Sequence, residues 1–235
     1  NPLEAVKTNV QGTQNVIDAA LNRNVERVMV ISSDKAVLPI NLYGATKLCA
    51  ERLAVASNVY RGATGKTRLS VMRYGNVIGS RGSLVELNEK QKDSGTIPLT
   101  DERMTRFWIQ IEDVIGRVVK AIEIMDGGEI FVPNMKSSRV SDLIRVLAPA
   151  CSVTIVGMRP GEKLHETLIT EFELSRTKDL GDLFVVLPEF RSWESEDSFI
   201  DYSNLSDETT YSSDSAFCLI EDLGEVEKLI KRTLG

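Results

Sequence analysis

Two apolar stretches constrain this chain most. "VERVMVISS" (25–33) holds a continuous run from Val28 to Ile31, and "RLSVMRYGNVIG" (68–79) is a second such run ending in glycines. Unbroken apolar runs of this length fit strands covered on both faces, rather than half-exposed strands with alternating polarity. An apolar-sided segment, Pro2 to about Leu21, precedes the first strand, with Asn1 as N-cap and Pro2 at the first helical position. A second, about Tyr43 to Tyr60, lies between the two strands. Helix, strand, helix, strand with linkers of this kind implies right-handed crossovers and a parallel sheet, an α/β fold.

The pattern beyond Gly79 is less regular. It predicts helices at about Leu84–Lys92, Ile111–Met125 and Val140–Leu147, and strands at Gly128–Pro133, Ser152–Met158 and Asp182–Pro188. "RPGEKLHETLI" predicts a Pro-Gly turn continuing as a helix. The expected organisation is a sheet domain over residues 1–78 and a smaller substrate-binding region over 79–188, with 111–132 packing back on the sheet. From Glu189 to about Ser215 the chain is rich in Ser, Asp and Glu and reads as a solvated, irregular tail, followed by a terminal helix after Ala216.

Composition narrows the function classes. The net charge is −6 and no basic stripe is visible, which argues against a nucleic-acid partner. No apolar run approaches the roughly 20 residues of a membrane span. The three cysteines, Cys49, Cys151 and Cys218, are far apart and in no metal-ligand spacing, as expected of reduced thiols in a cytoplasmic protein. His165 is the single histidine, so a His-rich metal site and a Ser-His-Asp triad are not expected; its side chain is expected to pack beside the "RPGEK" segment.

The chemistry-bearing residues cluster in "SSDKAVLPINLYGATK" (32–47). In an open parallel sheet, ligands gather at the carboxyl ends of the strands, where "SSDK" and "YGN" both fall. Tyr43 and Lys47 lie one turn apart on one helix face. A free phenol ionises near pH 10 and is a poor base at neutrality, and an ammonium nearby favours the phenolate. Y-x-x-x-K alone also occurs on solvated helix faces. Its position after a buried strand and a Ser-Ser-Asp-Lys cluster makes it a site.

This segment resembles the active-site segment of the extended short-chain dehydrogenase/reductases, and within them the inverting, soluble UDP-N-acetylglucosamine 4,6-dehydratases. The likeness continues through "NPLEAVKTNVQGTQNVIDAA", "RYGNVIGSRGS", "TDERMTRFWI", "GGEIFVP" and "GMRPGEKLHE", over about residues 1–188. It implies a partial NAD(P)-binding Rossmann-like sheet, NADP as cofactor, a UDP-sugar substrate and a homo-oligomer when full length. By the same resemblance Tyr43 accepts the 4-hydroxyl proton and Lys47 binds the nicotinamide ribose and favours the phenolate. Ser33 bonds the 4-oxygen, Lys35 is the C5 base and Asp34 the acid at the departing 6-hydroxyl. Ser32 and Arg81 are expected at the cofactor. Asn76, Arg103, Arg106, Arg159 and Glu162 are expected at the substrate, with Arg159 on the diphosphate and Glu162 on a ribose hydroxyl.

The resemblance also places a glycine-rich loop, the first strands and a 2′-phosphate reader before Asn1. The expectation is therefore a carboxyl-terminal fragment of a longer enzyme, inactive and weakly stable alone, with the strand at 25–33 presenting an unpaired apolar edge. "LVELNEKQ" (84–91) is more polar than the family pattern, which bears on packing of the substrate domain or of subunits. Three other readings stay open: a retaining 4,6-dehydratase, a sugar-nucleotide 4-epimerase, and a non-catalytic remnant that only associates with other subunits. A retaining enzyme has Met where Tyr43 stands, and an epimerase has no use for the Asp34-Lys35 acid and base.

Overall fold

The computed structural model describes residues 1–61, 66–80, 95–190, 199 and 210–234. Arg81, the predicted helix at 84–92 and most of the acidic tail lie outside them. Helices α1 (Pro2–Val6) and α2 (Gly12–Asn22) are joined by one π-type turn, Lys7–Gln11. Strand β1 (Arg27–Ser33), a short 3-10 turn (Asp34–Ala36), α3 (Leu42–Ala56), β2 (Arg68–Tyr74) and β3 (Asn76–Val77) follow. Next come β4 (Thr96–Leu99), β5 (Thr105–Ile109), α4 (Ile111–Ile124), β6 (Ile130–Pro133), β7 (Lys136–Arg139) and α5 (Val140–Leu147). The remainder holds β8 (Ser152–Ile155), β9 (Thr167–Ile169), α6 (Glu171–Leu174), β10 (Thr177–Asp179), β11 (Leu183–Val186), β12 (Tyr211–Ser212), β13 (Leu219–Ile220) and α7 (Leu223–Leu234).

The chain forms two compact units. The first comprises 1–74, 115–134 and 167–211, and the second 75–114, 135–166 and 212–235. In the first, a five-stranded sheet runs β1-β2-β6-β11-β10. Strands β1, β2 and β6 are parallel, as the helix–strand alternation requires, while β11 and β10 join antiparallel. The sequence pattern missed β10, which is three residues long with a polar centre. Met72, Phe131, Leu183 and Val185 pack with Ala121 of α4 and with Met125 just beyond it, and Phe199 meets the Phe131 ring edge-on at 6.4 Å between centroids. Strand β1 is an edge of this sheet; Val28 and Val30 are half-buried and Ile31 is exposed.

The second unit holds a four-stranded mixed sheet, β13-β7-β5-β3, and a parallel pair, β4-β8. Ile97, Leu99, Trp108, Leu143, Ile144, Val226 and Ile230 make its core. Two elements differ from the sequence expectation. "RPGEKLHETLI" is a turn leading to the extended β9, with no helix. The terminal helix begins at Leu223, after β13 has joined the mixed sheet.

Candidate active site

Strand β1 delivers Ser32 and Ser33 at its carboxyl end, in parallel register with Arg73 and Tyr74 of β2. The backbone then folds into the Asp34–Ala36 turn. Ser33 caps it: its Oγ accepts the Lys35 N–H at 3.1 Å and donates to Asp34 Oδ1 at 2.9 Å. Asp34 is fully buried. Its Oδ1 also meets Lys35 Nζ at 2.9 Å, while its Oδ2, buried as well, has no hydrogen-bond partner among the described residues. Buried carboxylate oxygens are nearly always satisfied, so this orphan marks a place for a proton or a ligand hydroxyl. Ser32 Oγ is buried and orphaned in the same way.

Helix α3 starts with Asn41 as N-cap, its side chain accepting the Gly44 N–H at 2.8 Å. Tyr43, in the first turn, is 47% exposed, so its ring is available to a ligand. Lys47, one turn on, donates from Nζ to the Ile31 carbonyl at 2.7 Å. Burial lowers the Lys47 pKa, and the Glu51 carboxylate one further turn along opposes that shift. An ammonium has three donors. Lys47 thus keeps donors for a vicinal diol, which fits a nicotinamide ribose. The six sequence-predicted residues of 32–47 therefore fall on one strand end, one turn and one helix start of the first unit.

Two features of this unit were not anticipated. Tyr74 is half-buried, and its phenol pKa is raised, first by burial and then by Tyr43. The Arg73 guanidinium is buried between two glutamates. It makes a two-point pair with Glu51 (3.1 and 2.8 Å), reaches Glu173 at 3.1 Å, and donates to the Leu168 carbonyl at 2.7 Å. The signal was present: Tyr43, Lys47 and Glu51 recur every four residues on one face of α3.

The remaining predicted residues lie in the second unit. Asn76 is half-buried on β3, opposite Trp108 of β5. Arg103 is exposed and pairs with Asp101 through two hydrogen bonds of 3.0 and 2.8 Å, which hold the Asp101 pKa at about 2. The Arg106 guanidinium is taken up within the protein: it donates to the carbonyls of Thr105, Lys163 and Leu164 and lies 3.9 Å from Glu166. Arg159-Pro160-Gly161-Glu162 is a type II turn, with Gly161 at φ 84° and the Glu162 N–H on the Arg159 carbonyl. The Glu162 carboxylate accepts the Arg159 N–H at 3.4 Å, and the Arg159 side chain is exposed. His165 Nδ1 is 2.8 Å from Thr105 Oγ1, which is 2.6 Å from Ser213 Oγ. A cavity of about 500 Å³ in this unit is lined by Arg103, Arg139, Arg145, His165 and Asp214 among others, and by none of the residues of 32–47.

A parallel sheet with a Ser-Asp-Lys turn at a strand end and a Tyr-Lys pair on the next helix is a Rossmann-type arrangement. Comparison with known proteins agrees. Residues 1–188 match the family described as "Polysaccharide biosynthesis protein", and the chain belongs to that family. It is 44% identical over 201 residues to a UDP-N-acetylglucosamine 4,6-dehydratase (inverting) of Campylobacter jejuni, covering 85% of this chain and 60% of the relative. It is 39% identical over 188 residues to a UDP-glucose 4-epimerase of Rickettsia rickettsii, covering 78% of this chain and 55% of that one. The chain thus spans about 60% or less of the length of these relatives. Among solved structures it resembles Pen from Bacillus thuringiensis with a TM-score of 0.88 and 34% identity, over 100% of this chain and 71% of that one. Among the described residues, no helix is long and apolar enough to cross a membrane.

Proposed function

We propose that this chain carries the acid–base machinery for NADP-dependent 4,6-dehydration of UDP-N-acetylglucosamine with inversion at C5. The observation that supports it best is the Asp34–Lys35 contact of 2.9 Å, with Asp34 fully buried. The reaction needs an amine free to take the C5 proton and a carboxyl able to give one to the leaving 6-hydroxyl. Moving a single proton from Nζ to Oδ1 across this contact creates both forms at once. The buried Asp34 Oδ2 has no hydrogen-bond partner among the described residues, so it can accept or hold a proton without breaking an existing contact.

The remaining roles follow from chemistry. NADP, when bound, supplies a hydride acceptor for C4. Tyr43 takes the 4-hydroxyl proton, with Lys47 one helical turn further on. Lys47 uses its remaining donors on the ribose diol, and Ser33 holds the 4-oxygen. Arg159, with its exposed guanidinium, suits the diphosphate in bidentate fashion. Glu162 suits a ribose hydroxyl, and Asn76, Arg103 and Arg106 are further residues for the substrate. Arg81 is assigned to the cofactor on the sequence alone.

A 4-epimerase is the second reading, favoured by the Rickettsia relatives. NMR of the product after incubation of the full-length protein with UDP-N-acetylglucosamine and NADP or NAD separates them. The expected product has a C6 methyl group, a 4-ketone and an inverted C5. A product with its 6-hydroxyl intact and C4 inverted would establish the epimerase, and a C6 methyl with C5 retained would establish the retaining dehydratase. UDP binding with no turnover would support a role in subunit association only.

A further inference from the structure

Gly44 stands between the two pairs of reacting groups, and its place in the fold asks for an explanation. It lies in the first turn of α3, buried, with a backbone φ outside the left-handed region. No turn geometry requires glycine there, and glycine is among the poorest helix formers. Space explains it. A β-carbon at this position would sit 2.2 Å from the Lys35 carbonyl oxygen, 3.3 Å from the carbonyl carbon and 3.0 Å from Pro39 Cβ. The closest of these atoms is backbone and cannot rotate aside. It belongs to the turn held by Ser33 Oγ on the Lys35 N–H and by the Val37 N–H on the Asp34 carbonyl at 3.1 Å. The start of the helix that carries Tyr43 and Lys47 therefore rests directly on the turn that carries Asp34 and Lys35.

We propose that Gly44 is a positioning residue that fixes the Tyr43–Lys47 pair against the Asp34–Lys35 pair, so that both halves of the dehydration act on one bound hexose. This rests on the dehydratase reading above. In the first half the 4-hydroxyl proton passes to Tyr43 as the C4–H bond breaks, and NADP, when bound, would supply the hydride acceptor. In the second half the C5 proton passes to Lys35 and the C6–O bond breaks. The oxygen leaves as water with the proton from Asp34. The reduced cofactor would supply the hydride that C6 takes up, and C5 takes a proton from solvent on the face opposite Lys35. The first half uses Tyr43 and Lys47 of the helix with Ser33 at the strand end, and the second also needs Asp34 and Lys35 of the turn in register with the helix.

The test is Gly44→Ala. The added carbon must push the turn away from the helix. A misplacement of about 1 Å is enough to cost roughly a hundredfold in rate. The expected result is that hydride removal persists and reduced nicotinamide accumulates, seen by its absorbance. Exchange of the C5 hydrogen with deuterated solvent, and the C6 methyl product, fall by about a hundredfold or more. Equal loss in both halves would mean only that less protein is folded, and would overturn the proposal. So would product formation at the unsubstituted rate. A crystal structure of the Gly44→Ala chain gives a readout independent of turnover. The proposal requires the Lys35 backbone to move relative to Tyr43, and an unchanged separation overturns it. Adding Pro39→Gly relieves the side-chain contact but not the backbone one, so coupling should stay lost; recovery would place the cause at Pro39 instead. If the full-length unsubstituted protein makes no dehydrated product, the dehydratase reading fails, and the crystal structure still decides whether Gly44 sets the spacing.

Discussion

Charged side chains are built into the two units in opposite ways. In the first unit several are buried and paired: Asp34 inside its turn, and Arg73 between Glu51 and Glu173. In the second unit the residues proposed to grip a nucleotide include some on the surface. Arg103 is exposed against Asp101, and Arg159 is exposed on a type II turn. The difference follows from what each must do. Proton transfer needs fixed geometry and little water, and buried paired groups supply both at a cost in desolvation. Holding a diphosphate needs long cationic arms that can close on it, and surface guanidinium groups do this at little cost to stability.

The largest effect expected from this contrast is in the buried turn. Lys35→Ala or Asp34→Asn should each lower dehydrated product by about 10²–10⁴-fold, the usual worth of a positioned acid or base. UDP affinity, read by calorimetry, should hardly change. A loss of UDP affinity matching the loss of turnover would erase the distinction between the two units.

The turn and helix start were legible in sequence because a continuous apolar strand, a polar cluster and Y-x-x-x-K follow one another within the 23 residues of 25–47. The parallel core was legible for the same reason. The mixed sheet was not. Strands β3 and β13 are two residues each, too short to show a period, and they pair with strands far away in sequence. In "RPGEKLHETLI", Leu164 and Leu168 are four apart and imitate a helix face, yet the segment ends in the extended β9. The role of Gly44 was hidden because close approach of a carbonyl leaves no mark in the sequence beyond the glycine itself. The Arg73 triad joins residues up to 100 positions apart.

That triad supplies the next effect. Glu51→Ala leaves part of a buried guanidinium unpaired and should destabilise the first unit by about 3–5 kcal/mol. Hydrogen exchange of β2 amides would read it. Replacing Arg73, Glu51 and Glu173 together by Met and Leu should be milder, because no charge is then left buried alone. If the triple variant were the worse of the two, the ion network itself would be stabilising, contrary to the argument from desolvation.

On the second unit the expected effects are smaller and concern binding. Arg159→Ala should weaken UDP by about 1.5–3 kcal/mol, the worth of a hydrogen bond to a charged group, or roughly tenfold to a hundredfold. Arg103 is already neutralised by Asp101, so Arg103→Ala should change UDP affinity by less than about threefold. The reverse order would show that the Asp101 pair opens for the ligand.

The smallest expected effect separates buried from exposed carboxylates by pH. Burial alone would raise the Glu173 pKa, but the Arg73 charge and hydrogen bonds from Arg73 and Thr170 outweigh it and leave it below the usual value. A carboxyl depressed in the folded state contributes stability that is fully present above its unfolded pKa, near 4.3. That contribution is lost as pH falls from there through the lower, folded value, because only the unfolded chain takes up the proton at first. Glu173→Gln should therefore be less stable than the parent at neutral pH and decline less steeply below about pH 4.3. Asp101 is also depressed, but its partner is exposed and solvent screens the pair. Asp101→Asn should leave the acid limb of the first unit unchanged, measured again by exchange of β2 amides. Parallel acid limbs for Glu173→Gln and the parent would mean that Glu173 is paired as strongly in the unfolded chain, and burial would then not be what distinguishes the two units.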